Sequence, residues 1–250
     1  MGRVKVGAVS YLNTKPLVYG FRDGQMQDQM EIIEDYPSRI AGMLLNNEID
    51  LGLVPVAIIP ALQEYHIVSD YCIGAKGAVA SVCLFSDVPL QEAEEVLLDY
   101  QSRTSVNLAR ILLRDYWKVQ PHLTNAAADF REHISGKTAG LVIGDRAFEQ
   151  RKLSKYKYDL GEAWQQFTGL PFVFAAWISN KQLDASFTRA FNEATGKGLG
   201  AIDAIVQSNP YPLFDLNNYF TRCISYTLDA EKKKGLALFL EKLQTLPPLS

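Results

Sequence analysis

Four short polar segments carry the residue types in this chain that can do chemistry. Ser10-Tyr11-Leu12-Asn13-Thr14-Lys15 supplies hydroxyls, a carboxamide and one cation, and contains no Asp, Glu, His or Cys. Ser102-Arg103-Thr104-Ser105 repeats the theme with three hydroxyls and a guanidinium. Gly144-Asp145 closes an apolar run, and Ser81 lies within another. Hydroxyls, amides and backbone N–H groups at a helix start bind and orient anions. Arg103 adds the means for a charge-assisted bond to a carboxylate. Ser102 acting only as the cap of its helix explains that segment equally well. The first segment offers no general base, so any reaction there needs one from elsewhere.

Other chemistries find no support. His66, His122 and His133 have none of the spacings that metal sites use, and no metal is expected. Gly196-Lys197-Gly198-Leu199-Gly200 follows a helical stretch, whereas the dinucleotide fingerprint follows a strand; a close-packing break between two helices is the better reading. No phosphate-binding loop is present, so nothing supports NTP or dinucleotide use, and no nucleophile elbow appears. Lys232-Lys233-Lys234 reads as a solvated helix face, and Trp164 and Trp177 as core anchors. Cys72, Cys83 and Cys223 are an odd set without paired spacing, which reads as free thiols. The formal net charge of -3 provides no field for a nucleic acid or an anionic membrane. The start of the chain runs directly into a strand without a leader pattern, and no apolar run is long enough to cross a bilayer, so a cytoplasmic location is expected.

The elements that must position these segments alternate between strand and helix. The length of 250 residues suits one large or two small domains. Val4–Val9 predicts a strand, a helix follows near Lys15-Pro16, residues 23–29 read as a loop, and residues 30–34 as a second strand. Residues 37–45 show helical spacing, and residues 49–56 form an apolar run typical of a parallel strand buried on both faces. Residues 56–64 predict a helix; residues 67–73, 79–85 and 95–99 predict strands. Val106, Ala109, Leu113 and Trp117 stripe a helix. Residues 138–145 predict a strand and turn before a helix over 146–150, residues 151–170 read as irregular, and 172–177 as another strand. Residues 183–207 have helical spacing, 211–217 read as a loop, and 230–243 as a final amphipathic helix.

The pattern restarts after Asp87-Val88-Pro89-Leu90. The expected architecture is α/β with two lobes: residues 1–86 with 178–250, and residues 87–177. Two crossings would make a hinge and a central cleft. A polar turn from each lobe suggests an anionic ligand held between them.

Val9-Ser10-Tyr11-Leu12-Asn13-Thr14-Lys15-Pro16-Leu17 resembles the opening signature of the chorismate dehydratase family of the futalosine route to menaquinone. The likeness continues through Ile49–Val56, Ser81–Ser86, Ser102–Val106, Leu141–Asp145 and Thr168–Ala175. The related naphthoate-forming enzymes open differently, on a Ser-Pro-Cys-Pro-Asn-like motif. The resemblance implies a type II periplasmic-binding-protein-like fold and a hydro-lyase that removes water from chorismate to give 3-[(1-carboxyvinyl)oxy]benzoate, without a cofactor. It implies Asn13 and Ser81 as the catalytic residues. Ser102, Arg103, Thr104 and Ser105 are then candidates for the ring carboxylate, with Ser10, Tyr11, Thr14, Gly144 and Asp145 as further substrate contacts. A non-enzymatic solute-binding or sensor protein for a small carboxylate is the alternative.

Overall fold

The computed structural model describes residues 3–22 and 24–248. In chain order the strands are β1 Val4–Val9, β2 Met30–Asp35, β3 Leu51–Pro55, β4 His66–Ala75, β5 Val82–Ser86, β6 Glu95–Leu98, β7 His122–Asn125, β8 Thr138–Ile143, β9 Tyr156–Asp159, β10 Phe172–Ser179 and β11 Ser225–Thr227. The α-helices are α1 Lys15–Val18, α2 Gly24–Gln29, α3 Pro37–Leu45, α4 Thr104–Ile111, α5 Arg146–Leu153, α6 Leu160–Thr168, α7 Ala185–Lys197, α8 Ile202–Ser208, α9 Leu216–Asn218 and α10 Ala230–Gln244. No helix among the described residues is long and apolar enough to cross a membrane.

The chain divides into two compact units, Met1–Gly74 with Val173–Asp229 and Ala75–Phe172 with Ala230–Ser250. It passes from one to the other three times, against the two passes and the divisions after 86 and 177 expected from sequence. The difference has physical causes. β5 pairs antiparallel with β8 and β9, and α10 sends Phe239 against Trp164 and Phe172, with ring centroids 6.3 and 5.1 Å away.

The first unit carries a six-stranded sheet in the order β11-β4-β10-β3-β1-β2. β1 lies between β2 and β3 and runs parallel to both. The chain therefore winds to one side of β1 and then to the other, which makes the carboxyl end of β1 a topological switch point. All five residues of β3 are buried, as expected for a strand covered on both faces. Leu17, Phe21, Trp177 and Phe191 pack in the core, with the Trp177 ring 5.8 and 5.0 Å from those of Phe21 and Phe191. The glycine stretch is a packing point: a Cβ at Gly198 would lie 1.9 Å from the Pro16 carbonyl oxygen. It separates α7 from α8.

Three expectations change in this unit. Gly24–Gln29 is helical where its polarity suggested a loop (Asp23 lies outside the described residues). Val56–Ala61 is a 3-10 helix containing Pro60, and it ends well before Glu64. Between the loop expected over residues 211–217 and the final helix, Ser225–Thr227 forms β11, which pairs antiparallel with β4.

The second unit carries a five-stranded sheet in the order β7-β6-β8-β5-β9. β6 repeats the device of β1: β7 and β8 flank it, both parallel. Cys83, Phe85, Leu97, Phe130 and Val142 form part of its core. Residues 151–170, read as irregular, contain β9 and α6. Asp159 caps α6 by accepting from Gly161 N and Glu162 N, Leu160, Ala163 and Trp164 are buried, and Gly169 closes the helix at φ 74°. β7 has no counterpart among the expected strands, since its four residues are only partly buried. The lysine run is not uniformly solvated: Lys232 is fully buried, while Lys233 and Lys234 are exposed.

Candidate active site

The first unit's site grows from the end of β1. Ser10 N donates to Asp35 O at 3.1 Å, which ties the strand exit to the end of β2. The chain then tightens into a 3-10 turn over Leu12–Thr14 and enters α1 with Pro16 in its first turn. This turns Asn13 and Thr14 inward, to 9% and 2% exposure, and leaves Ser10 exposed and Tyr11 half-buried. The Asn13 carbonyl accepts a 3.0 Å bond from the hydroxyl of Tyr226, itself buried on β11. Burial, and then the neighbouring Tyr219, push the Tyr226 hydroxyl well above its ordinary pKa, so it remains a donor. The Asn13 side-chain oxygen takes only a long 3.5 Å contact from Thr14 Oγ1. Among the described residues none accepts a bond from Asn13 Nδ2. Beside the motif lies a cavity of about 180 Å³ lined by Ser10, Tyr11, Thr14 and Lys15 together with Arg22 and Glu34. Asn13 is not part of its wall.

In the second unit the topology gathers the remaining candidates at one edge of the sheet. β6 and β8 are parallel, so their carboxyl ends are neighbours; β5 is antiparallel to β8, so it starts at the same edge. Gly144 N donates to Ser81 O at 2.9 Å, which joins the turn after β8 to the residue before β5. Ser81 thus precedes its strand, whereas the sequence placed it inside. Asp99 joins the turn after β6 to the same edge. Its fully buried carboxylate accepts from Ile143 N at 3.1 Å, Gln101 N at 3.1 Å and Arg146 Nη2 at 2.9 and 2.7 Å. Ser102 Oγ accepts from Ser105 N at 3.0 Å, a bond into the first turn of α4, whose N-cap position is Arg103. Thr104 and Ser105 are buried, Arg103 is exposed, and Gly144 adopts φ 66° ahead of a half-buried Asp145.

Ser81 sits at the end of an unusual turn. Its N–H donates to Val79 O at 2.8 Å around Ala80 at φ 64°. This γ-turn with a positive central φ is rare, and for a residue other than glycine it costs on the order of 1–3 kcal/mol. Asp159 accepts from Val79 N at 3.0 Å and Ala80 N at 2.7 Å, and Arg151 Nη1 donates to Ala80 O at 3.2 Å. Cys83 lies beneath the turn, its thiol held protonated by burial and then by the charge of Asp159.

Each unit therefore resolves into a wound α/β sheet with a polar turn on its switch strand. The same fold occurs in a Candida albicans protein, the CA3427 gene product, described as exhibiting the generic periplasmic binding protein structural fold; the TM-score is 0.60, at 12% identity over 100% of this chain and 97% of that one. The fold is that of the periplasmic binding proteins. A family model described as menaquinone biosynthesis matches residues 4–245, and the chain belongs to that family. Its relatives include the chorismate dehydratase of Thermus thermophilus, 26% identical over 95% of this chain and 94% of that protein. The chorismate dehydratase of Campylobacter jejuni is 24% identical over 96% and 97%.

Proposed function

We propose that this protein eliminates water from chorismate to give 3-[(1-carboxyvinyl)oxy]benzoate, a hydro-lyase step of menaquinone biosynthesis. The reading is supported by family membership and by one geometric observation. Asn13 is nearly buried at a strand end, its carbonyl is held by Tyr226, and its amide donor is unclaimed among the described residues.

The reaction is redox-neutral. The C–H bond at the ring carbon bearing the ether oxygen breaks, its electron pair enters the ring, and the C–O bond to the neighbouring hydroxyl breaks. Proton and hydroxide leave as water, and the ring becomes aromatic. The substrate's own enolpyruvyl carboxylate takes the proton, which supplies the base that the Ser10–Lys15 segment lacks. Holding the conformer that brings carboxylate and C–H together is a proximity effect. Asn13 and Ser81 orient that carboxylate and assist the departing hydroxyl by hydrogen bonds. Ser102, Arg103, Thr104 and Ser105 receive the ring carboxylate; Ser10, Tyr11, Thr14, Gly144 and Asp145 complete the contacts.

The test is direct. Purified protein with chorismate should yield the carboxyvinyloxybenzoate, seen by chromatography and by the ultraviolet change on aromatisation. Asn13→Ala and Ser81→Ala should each lower kcat by about 10²–10³-fold while remaining folded, the scale for losing one donor aimed at developing charge. The periplasmic-binding-protein fold favours one other reading, a carboxylate binder without turnover. Chorismate bound tightly and recovered unchanged would establish that reading and end the enzymatic one.

A further inference from the structure

The turn that presents Ser81 is held by two side chains remote from it in sequence. The Ala80 residue is gripped at both ends: its N–H donates to Asp159 Oδ2 at 2.7 Å, and its carbonyl accepts from Arg151 Nη1 at 3.2 Å. The two oxygens of Asp159 have different tasks. Oδ1 accepts from Gly161 N at 3.0 Å and Glu162 N at 3.2 Å, the cap of α6, and from Val79 N at 3.0 Å. Oδ2 faces Ala80 N and, at 3.8 Å, Cys83 Sγ. Capping α6 needs only one oxygen, which Ser, Thr or Asn supplies as well. The second oxygen serves the turn and the Cys83 thiol beneath it.

We infer that Asp159, acting with the Arg151 bond to the Ala80 carbonyl, is a positioning residue that fixes the direction in which Ser81 presents its hydroxyl. The inference rests on the reading of Ser81 as a group that acts on chorismate. Without the carboxylate at Oδ2, the Ala80 N–H loses its acceptor, and the bonds to Val79 N and Ala80 O alone are left to oppose relaxation of Ala80 from φ 64° to negative φ. That relaxation rotates the peptide that leads into Ser81, while the Gly144 bond to Ser81 O holds the following peptide in place.

Asp159→Asn separates the two tasks. The carboxamide oxygen goes to the side with three N–H donors, so the cap remains and an NH2 group faces Ala80 N–H. Asp159→Ser is the second variant; it caps α6 and does not reach Ala80. Asp184→Ala is the control, since Asp184 caps α7 in the other unit through the same pair of N–H contacts. Misplacing a reacting group by about 1 Å costs on the order of 10²-fold. The expected result is a fall in kcat of about ten- to a hundredfold in both Asp159 variants, with KM within about threefold of wild type. Asp184→Ala should keep the wild-type kcat. Hydrogen exchange should show the Ala80 amide losing protection in Asp159→Asn, with Gly161 and Glu162 retaining theirs.

Wild-type turnover is measured first. An inactive wild type refutes the dehydratase reading and this inference with it. An active wild type with an unchanged kcat in Asp159→Asn overturns the inference alone. So does a kcat loss matched in Asp184→Ala, which would mark a general loss of stability.

Discussion

Asp99→Ala should lower the unfolding free energy by about 3 kcal/mol, a value built from its four contacts. The carboxylate is fully buried and accepts from two backbone N–H groups and twice from Arg146. Removing one partner of a buried pair costs roughly 3–5 kcal/mol, because the other charge is left uncompensated. The Arg146 side chain keeps 23% of its surface and can recruit water, which places the loss at the lower end. Ile143 N–H cannot, and an orphaned buried donor costs about 1–3 kcal/mol, a part of the same sum. In a chain of this length about 3 kcal/mol corresponds to a Tm lower by roughly 6–12 °C. Asp99→Asn keeps one acceptor and should lose about half as much. Calorimetry and urea unfolding measure the loss, and hydrogen exchange at Ile143 reports the local cause. A loss below about 1 kcal/mol with Ile143 still protected would refute the idea that Asp99 ties the turns after β6 and β8 together.

Two further outcomes follow from packing and charge. Gly198→Ala should destabilise by about 1–3 kcal/mol in urea unfolding, since the added methyl meets the Pro16 carbonyl and backbone must move. Asp115 is held at about 2, first by its hydrogen bond to Arg114 and further by Lys242 of α10. A lowered folded-state pKa stabilises above the ordinary value of 3.8 and is lost as pH falls through about 2. Asp115→Asn should therefore be less stable than wild type by about 1 kcal/mol at neutral pH, after allowance for screening. The gap should close between pH 4 and pH 2 in unfolding titrations; a gap constant with pH would show that the pairing contributes nothing.

What was legible in the sequence was what a local pattern can carry. β1, β3, β8 and β10 are apolar runs, and α3 is announced by Pro37 and the spacing of Ile40, Met43 and Leu44. α6 had its signals too: Leu160, Ala163, Trp164 and Phe167 recur at helical spacing between an Asp cap and a terminal glycine, but the Lys- and Tyr-rich residues before it mask the pattern. The supports of the site are of another kind. Tyr226 reaches Asn13 across 213 residues, and Asp159 reaches Ala80 across 79. Only the topology of the two sheets makes them neighbours, and neither sits in a motif that spacing can reveal. The turn at Ser81 hides for the same reason. Val79-Ala80 looks like the start of a strand until outside groups fix Ala80 at positive φ.

The placement of carboxylates around these turns bears on the proposed chemistry. The switch strands β1 and β6 each have parallel neighbours on both sides, so the connections leave in opposite directions from their polar ends. An uncovered strand end with a free carboxylate would repel a dianionic substrate and compete for its proton. In the second unit Asp99 is turned into the protein and neutralised by Arg146 and backbone N–H groups. Asp159 is occupied in the same way by four backbone donors. The Ser10–Lys15 turn of the first unit contains no acid. The acids Asp99 and Asp159 that build the edge at Ser81 thus act inward, as acceptors for the backbone, and Arg103 is an exposed cation at that edge. Two further acids lie near these turns, the half-buried Asp145 beside Gly144 and the exposed Glu34 in the wall of the cavity beside Ser10–Lys15. A reaction whose base comes with the substrate fits that distribution, because the protein then has only to bind two carboxylates and hold one of them against a C–H bond.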